Sequence, residues 1–468
     1  MIPHQLPNLR RDRFGLILIF ALFMLVIQSC TVKKGLVIQD SLTRAIEQDS
    51  VLGKAWVGVS IYDADRDRYL FDYNSDKKFV PASNTKLLTT YASLKYLPDS
   101  IPGWYWQETA DSLYLYPNGD PTFFHRDFEM QPLLSLIDQK RKPVVIAMDE
   151  QQQFRRFGAG WPWDYFQSPS VPERSQMPMY GNFARLELDK GRFSIVPSYF
   201  NEQMEVDPEA VNAAQNEDPA STKQGYVLSR TERDNQFRVI ASTRRTMARP
   251  FTHQTDPFLA FRLLEDTLRR IHPTISLSLA VNKARPDVGS EADLRTLFTA
   301  EKDGVLGIMM KRSDNFIAEQ LLLMVGAELT GGLTDRGAIT HLMQKDLVDL
   351  PDQPSWADGS GLSRNNQFSP RFYVELLRQI ENEFGTQRIR GILPHGNEGT
   401  LLGYYAGMED QLFAKTGTLS GTAALSGYIV TDAGKNLVFS VLVNHHQNSA
   451  VAARRAIERF VRSVIETH

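Results

Sequence analysis

The spacing of hydrophobic and polar positions changes character three times along this chain. Residues 39–48, "QDSLTRAIEQ", place apolar residues at helical intervals, and "AWVGVSIYDADRDRYLFDYN" reads as two strands around an Asp-rich turn. A further helix is predicted over "NTKLLTTYASLKYL". From about residue 105 to 295 the pattern is one of short alternating strands, among them "DSLYLY", "PVVIAMD", "RFSIVP" and "QFRVIAS", so this block is expected to be β-rich. Its Trp104, Trp106, Trp161 and Trp163 are expected in the core. The acidic segment "NEQMEVDPEAVNAAQNEDPAST" has too few apolar residues to bury much surface, and it reads as a mobile loop. Beyond 295 helical spacing returns in "SDNFIAEQLLLMVGAEL" and "SPRFYVELLRQIENEF". Three strand-like runs follow, "LFAKTGTL", "TAALSGYIVTD" and "NLVFSVLVN", before the closing helix "AVAARRAIERFVRSVIE".

Strands near both ends with helices between them predict one α/β domain, its sheet pairing the N-terminal hairpin with the C-terminal strands. The β-rich block then interrupts that domain. The expected division is a leader over 1–29, a first part of the domain over 30–105, the insertion over 106–295 and a second part over 296–468.

The leader has its own pattern. Arg10, Arg11 and Arg13 precede the apolar run from Phe14 to Ile27, which is too short to span a bilayer comfortably and has the length of a signal-peptide core. It ends at "QSC", and the single cysteine of the chain, Cys30, stands where a bacterial lipoprotein signal places its lipidated residue. Ile27 and Ser29 suit that signal, whereas Gln28 is larger and more polar than usual. The expectation is export to the periplasmic side of a bacterial envelope, with a lipid tether at Cys30; an uncleaved anchor helix is the alternative. With Cys30 acylated no thiol remains for disulfides or cysteine catalysis.

Composition narrows the field. With 468 residues, 42% of them hydrophobic and 23% charged, the chain can build two or three cores. Its 52 basic and 55 acidic side chains provide no positive field for a phosphate backbone, which argues against nucleic acid as a partner.

The candidate chemistry starts at Ser83 and Lys86. Three residues apart on a helix they share a face, and a lysine made neutral by burial can take the proton of a serine hydroxyl. By itself this pattern is weak, because Ser75 and Lys78 repeat it and a serine at a helix start is a common cap. Two further groups change that. Ser313-Asp314-Asn315 opens another apolar helix, although Ser363-Arg364-Asn365 matches the same pattern, and Lys415-Thr416-Gly417-Thr418 lies in a strand-like run. The three groups in this order are the signature of penicillin-binding proteins and class A β-lactamases. His445 and His446 lack a third ligand at metal spacing, so no metal or other cofactor is implied.

The surrounding words, "PASNTKLLTTYASL", "KRSDNFIAEQLLL", "DGSGLSRNN", "GNEGTL" and "AKTGTLSGTAALSGY", resemble the D-alanyl-D-alanine carboxypeptidase/endopeptidase family of penicillin-binding proteins. The 227 residues from Lys86 to Ser313 are similar to the inserted domains that members of this family carry. The resemblance implies a transpeptidase domain like that of serine β-lactamases, an antiparallel sheet flanked by helices. It implies peptidoglycan stem peptides as substrates and β-lactams as covalent inhibitors. It also implies an acyl-enzyme on Ser83, with Lys86 as base, Ser313 and Asn315 relaying protons and positioning substrate, and Lys415 supplying a positive charge that depresses Lys86. Thr416 and Thr418 would face the substrate, and the N–H groups of Ser83 and Thr418 would form the oxyanion hole. Gly417 would let substrate backbone approach. Asp358, Gly359 and Ser360 are expected to shape a loop beside the cleft without a catalytic part. The alternatives are a β-lactamase or esterase of the same superfamily, for which no glutamate-bearing deacylation motif is seen, and a lipoprotein that binds peptidoglycan without cutting it.

Overall fold

The computed structural model describes residues 39–149, 153–215, 225–242, 250–283, 285–286 and 293–467. The expected leader and Cys30 lie outside the described residues.

The chain enters through helix α1 (39–48) and the antiparallel strands β1 (Trp56–Asp63) and β2 (Arg68–Tyr73), then a short turn leads into α2 (Lys86–Tyr96). The insertion follows: β3 (Ser100–Glu108), β4 (Leu113–Pro117), α3 (Pro132–Lys140), β5 (Val144–Met148), β6 (Phe183–Asp189), β7 (Arg192–Val196), β8 (Met204–Val206), α4 (Pro208–Gln215), β9 (Gly225–Arg230), β10 (Phe237–Ser242), β11 (Phe251–Thr252), α5 (Pro257–Ile271), β12 (Leu277–Val281) and β13 (Arg295–Glu301). Helices α6 (Lys302–Arg312), α7 (Asn315–Thr330), α8 (Asp335–Lys345), α9 (Pro370–Phe384) and α10 (Thr386–Ile392) return the chain to the first domain. Strands β14 (Leu412–Leu419), β15 (Thr422–Val430) and β16 (Asn436–Asn444) and helix α11 (Ala450–Thr467) complete it.

The main sheet has the order β14-β15-β16-β1-β2 and is antiparallel throughout. Its two ends of sequence meet at the pairing of β1 with β16, Trp56 opposite Asn444 and Asp63 opposite Leu437, as the hydrophobic pattern predicted. Both faces are covered, so the strands read as nearly unbroken apolar runs. Val57, Val59 and Ile61 pack with Leu437, Phe439 and Val441 against the apolar faces of α1 and α11. Tyr62, Val438 and Leu442 turn the other way, onto α2, α7 and α9.

Helix α7 lies deepest, with twelve consecutive residues from Phe316 to Ala327 buried. Each large apolar side chain there contributes about 1.5–3 kcal/mol through burial. Its start is set by Asp314, whose carboxylate accepts from Ile317 N at 2.9 Å, and its end by Gly331 at φ +82°.

The insertion has a sheet of order β12-β5-β4-β3-β13, and two smaller sheets. Its outgoing strand β3 pairs antiparallel with its returning strand β13. That sheet takes in Ser100 and Glu301, so the limits of 106 and 295 expected from sequence fall inside or at the end of paired strands rather than between units.

The block is β-rich as expected, and α3, α4 and α5 also pack into its core through residues such as Leu133, Ala210 and Leu264. Two other expectations about it change. The acidic segment expected as a mobile loop is regular over 201–215, as a turn, β8 and α4. Its few apolar residues suffice because they fall on one side, Ala210 and Ala214 being buried while Glu209 takes the helix N-terminus. The rest of that segment, 216–222, lies outside the described residues. Of the four tryptophans, Trp104 and Trp106 are core, but Trp163 is 73% exposed and Trp161 reaches out of the insertion to the first domain.

Candidate active site

Ser83 lies in the single 3-10 turn Ala82–Thr85 that runs into α2. It is not the cap of that helix: Thr85 holds the cap position and makes no side-chain cap bond. The turn is forced into shape from several sides. Ala82 takes a left-handed φ of +49°, unusual for a residue with a side chain, and Asn84 donates to Ser426 Oγ at 2.7 Å, with Ser440 behind it. Polar serines on the inner face of the sheet thus tie the turn to β15 and β16.

Lys86, one turn on and fully buried, has its Nζ 3.1 Å from Ser83 Oγ, 2.6 Å from Asn315 Oδ1 and 2.7 Å from the carbonyl of Ser360. Burial pulls this amine from 10.5 down to about 8, against the charges of Asp314, Asp358 and Glu319, which push it up. When neutral, it can spend its two N–H bonds on Asn315 and Ser360. Its lone pair then points at the hydroxyl of Ser83, and the hydrogen bond between them reverses.

Ser313 sits at the joint of α6 and α7 with φ +58°. The cap of α7 is therefore its neighbour Asp314, which leaves Ser313 and Asn315 free to face Lys415 and Lys86. Lys415 on β14 donates to Ser313 Oγ at 2.9 Å and to the carbonyl of Thr416 at 2.8 Å. It too is fully buried, and its amine is held well below the ordinary value, first by burial and then by the charge of Lys86. Burial is thus the first cause of the lowered amine at both lysines, ahead of the repulsion between them.

β14 is an edge strand. Gly396 N donates to Leu412 O and Ala414 N to Pro394 O on its outer side, so strand alternation turns the N–H groups of Thr416 and Thr418 to that same side. Thr418 is exposed there. Thr416 departs from expectation, since it is buried and its hydroxyl donates to Thr400 Oγ1 at 2.8 Å. Gly417 serves a different end from the one expected. A Cβ on it would stand 2.4 Å from Pro81 O, so the glycine lets β14 close on the Ser83 turn itself.

The loop Asp358–Ser363 is more than a border. The Ser360 carbonyl holds Lys86, and Gly359 O accepts from Thr89 Oγ1 at 2.6 Å. Gly361, at φ +83°, lies so close that a Cβ would meet Ala82 O at 1.9 Å. Asp358 organises the loop by accepting from Gly361 N, Ser363 N and Asn366 Nδ2, and from Trp161 Nε1 of the insertion at 2.8 Å.

Sequence reasoning missed a second buried layer. Glu319, one turn past Asn315, accepts from Ser360 N at 2.7 Å, and its other oxygen lies 3.4 Å from Arg174 of the insertion, which also pairs with Asp335 at 2.6 Å. Burial raises the Glu319 carboxyl to about 7, and Asp358 adds to this. A glutamate in an apolar helix four residues after Asn315 was a readable signal. Nothing in the sequence singled out Arg174, or Ser170, whose carbonyl accepts from Asn315 Nδ2 at 2.6 Å.

Both lookalike motifs fall away. Lys78 donates to Gln353 O and leaves Ser75, while Ser363 and Asn365 bond to each other inside the Asp358 loop.

The model of the D-Ala-D-Ala carboxypeptidase 3 (S13) family matches residues 38–464. A D-alanyl-D-alanine carboxypeptidase of Actinomadura sp. (strain R39) is 28% identical over 444 residues, 87% of this chain and 81% of that protein. A second, from Haemophilus influenzae, is 23% identical over 441 residues, 85% and 87% of the two chains. In fold, the crystal structure of penicillin binding protein 4 from Haemophilus influenzae is similar with a TM-score of 0.67 at 20% identity, over 91% of this chain and 98% of that one. With a matched segment that spans both parts of the main domain and the insertion between them, the chain belongs to the D-Ala-D-Ala carboxypeptidase 3 (S13) family.

Proposed function

We propose that Ser83 is the nucleophile of a serine-type D-Ala-D-Ala carboxypeptidase and D,D-endopeptidase acting on peptidoglycan stem peptides, and that β-lactams acylate the same hydroxyl. The observation that carries this is the contact of Ser83 Oγ with a buried Lys86 whose other partners are Asn315 Oδ1 and the Ser360 carbonyl.

Neutral Lys86 takes the Ser83 proton as Oγ attacks the carbonyl between the two D-alanines. The N–H groups of Ser83 and Thr418 receive the oxyanion, each worth about 2.7–4 kcal/mol to the transition state by analogy with other acyl-transfer sites. Ser313, in contact with Lys415, returns a proton to the leaving amine. Asn315 holds Lys86 on one side, and water then releases the acyl group. Thr416 and Gly417 act through the placement of β14.

A β-lactamase reading is less favoured, because the oxygens of Glu319 are engaged by Ser360 N and Arg174 instead of facing Ser83. The relic reading is disfavoured by the intact contacts among all five catalytic candidates. The location is on the exported side of the envelope, and the leader supports a lipid tether at Cys30.

Wild type and Ser83→Ala, each incubated with cell-wall fragments, test the reading by mass spectrometry. D-alanine release and fluorescent-penicillin labelling should vanish in Ser83→Ala and survive in Ser75→Ala. Equal products from wild type and Ser83→Ala would sink the proposal.

A further inference from the structure

Ser313, Asp314 and Asn315 line a second space beside the nucleophile, a cleft of about 390 Å³ whose other wall belongs to the insertion. Three arginines stand around it. Arg312 pairs with Asp127, Arg185 lies 3.1 Å from Glu187, and Arg126 comes no nearer to Asp127 than 3.9 Å. A guanidinium carries five N–H donors, so each keeps some for another anion. Facing them are two carboxylates. Counted against the three arginines, the carboxylates of Asp127 and Asp314 leave the lining of the cleft an excess of one positive charge. Tyr180 stacks on Phe124 at 5.6 Å and gives one wall a flat apolar surface.

The space is too large for the product of a carboxypeptidase. D-Alanine has six non-hydrogen atoms, and at no more than the share of one water molecule each they fill at most about 180 Å³. The cleft is twice that and lies within the range of sites for larger ligands, about 300–1,000 Å³.

We propose that this cleft is the leaving-group subsite for a cross-link, taking a second peptide stem by its carboxylates on Arg126, Arg185 and Arg312. The proposal rests on the reading of Ser83 as nucleophile. In the acylation step Ser83 Oγ bonds to the carbonyl carbon of the first stem as the C–N bond to the amine of the second stem breaks. The proton taken from Ser83 by Lys86 ends on that nitrogen. Ser313 delivers it and also lines the cleft, so the departing amine emerges where the rest of its stem can be held. A free D-alanine leaves by the same route and needs none of the arginines.

The test compares a cross-linked muropeptide dimer with a pentapeptide ending in D-Ala-D-Ala, using wild type, the double variant Arg126→Ala/Arg185→Ala and its conservative counterpart Arg126→Lys/Arg185→Lys. Dimer cleavage should lose at least tenfold in kcat/KM in the alanine variant, mostly through KM, and recover in part with lysine. D-alanine release and penicillin acylation should stay within twofold. An equal fall on both substrates, or no fall on the dimer, would overturn the subsite. Wild type that releases D-alanine but leaves the dimer intact would also overturn it while sparing the nucleophile assignment; failure on both substrates would refute that assignment as well.

Discussion

The protonation of Lys86 gives the sharpest check on the site. Its amine sits at about 8 through burial, and only the neutral form can accept the Ser83 proton. From pH 7 to pH 9 the neutral fraction rises from about 0.09 to about 0.9, so the second-order rate of acylation by a fluorescent penicillin should climb about tenfold and level off above the midpoint. Glu319→Gln removes one of the three negative charges that push Lys86 up, and its profile should move to lower pH. The same titration reaches stability. The fold holds Lys86 below its unfolded value of 10.5, so only the folded state penalises the charged amine. That penalty is absent above about pH 10.5, grows as pH falls, and is complete below about 8, where it amounts to about 3 kcal/mol. Denaturant unfolding of wild type and Lys86→Met should therefore diverge by about 1.4 kcal/mol per pH unit between 8 and 10, wild type gaining as pH rises. An acylation rate that is flat or falls between pH 6 and 9, or a Glu319→Gln profile that stays in place, would refute the assignment of Lys86 as a base tuned by burial.

Other outcomes follow from single contacts. Gly361→Ala would bring a Cβ to 1.9 Å from Ala82 O at φ +83°, and thermal unfolding should show a loss of more than about 2 kcal/mol, accompanied by slower penicillin labelling as the Ser83 turn shifts. Arg174→Met would remove the cation beside Glu319, so its stability by denaturant unfolding should fall further below wild type as pH rises above about 7, where Glu319 ionises, and Glu319→Gln in the same chain should remove that pH dependence; simple additivity of the two at about pH 9 would show that the pair is not coupled. Cys30→Ser should abolish metabolic labelling with palmitate and release the protein from the membrane fraction, and unchanged fractionation would remove the lipid tether.

Much of the fold was readable because local pattern and tertiary role agree. The run "LFAKTGTL" coincides with β14, "NLVFSVLVN" with β16, and residues 39–48 with α1, since each buries its apolar positions with the period of its own structure. Residues 201–215 of the acidic segment are regular because two alanines on one side of α4 are enough once a core is there to receive them. Ser83 failed as a cap because its turn is held in place by β14, β15 and the Asp358 loop, contacts to residues hundreds of positions away.

By itself the sequence determined the three motif groups, their order and the elements that carry them, because a nucleophile on a turn and a lysine on a strand leave short-range signatures. Only the tertiary structure decided which serine and lysine meet and how far burial lowers Lys86. It also decided that Gly417 and Gly361 serve the packing of the Ser83 turn, that Ser170 of the insertion reaches Asn315, and that Trp161 and Arg174 reach Asp358 and Glu319 behind it. Those outcomes depend on the dielectric and the close contacts created when segments remote in sequence are brought together, and no local pattern of residues encodes either.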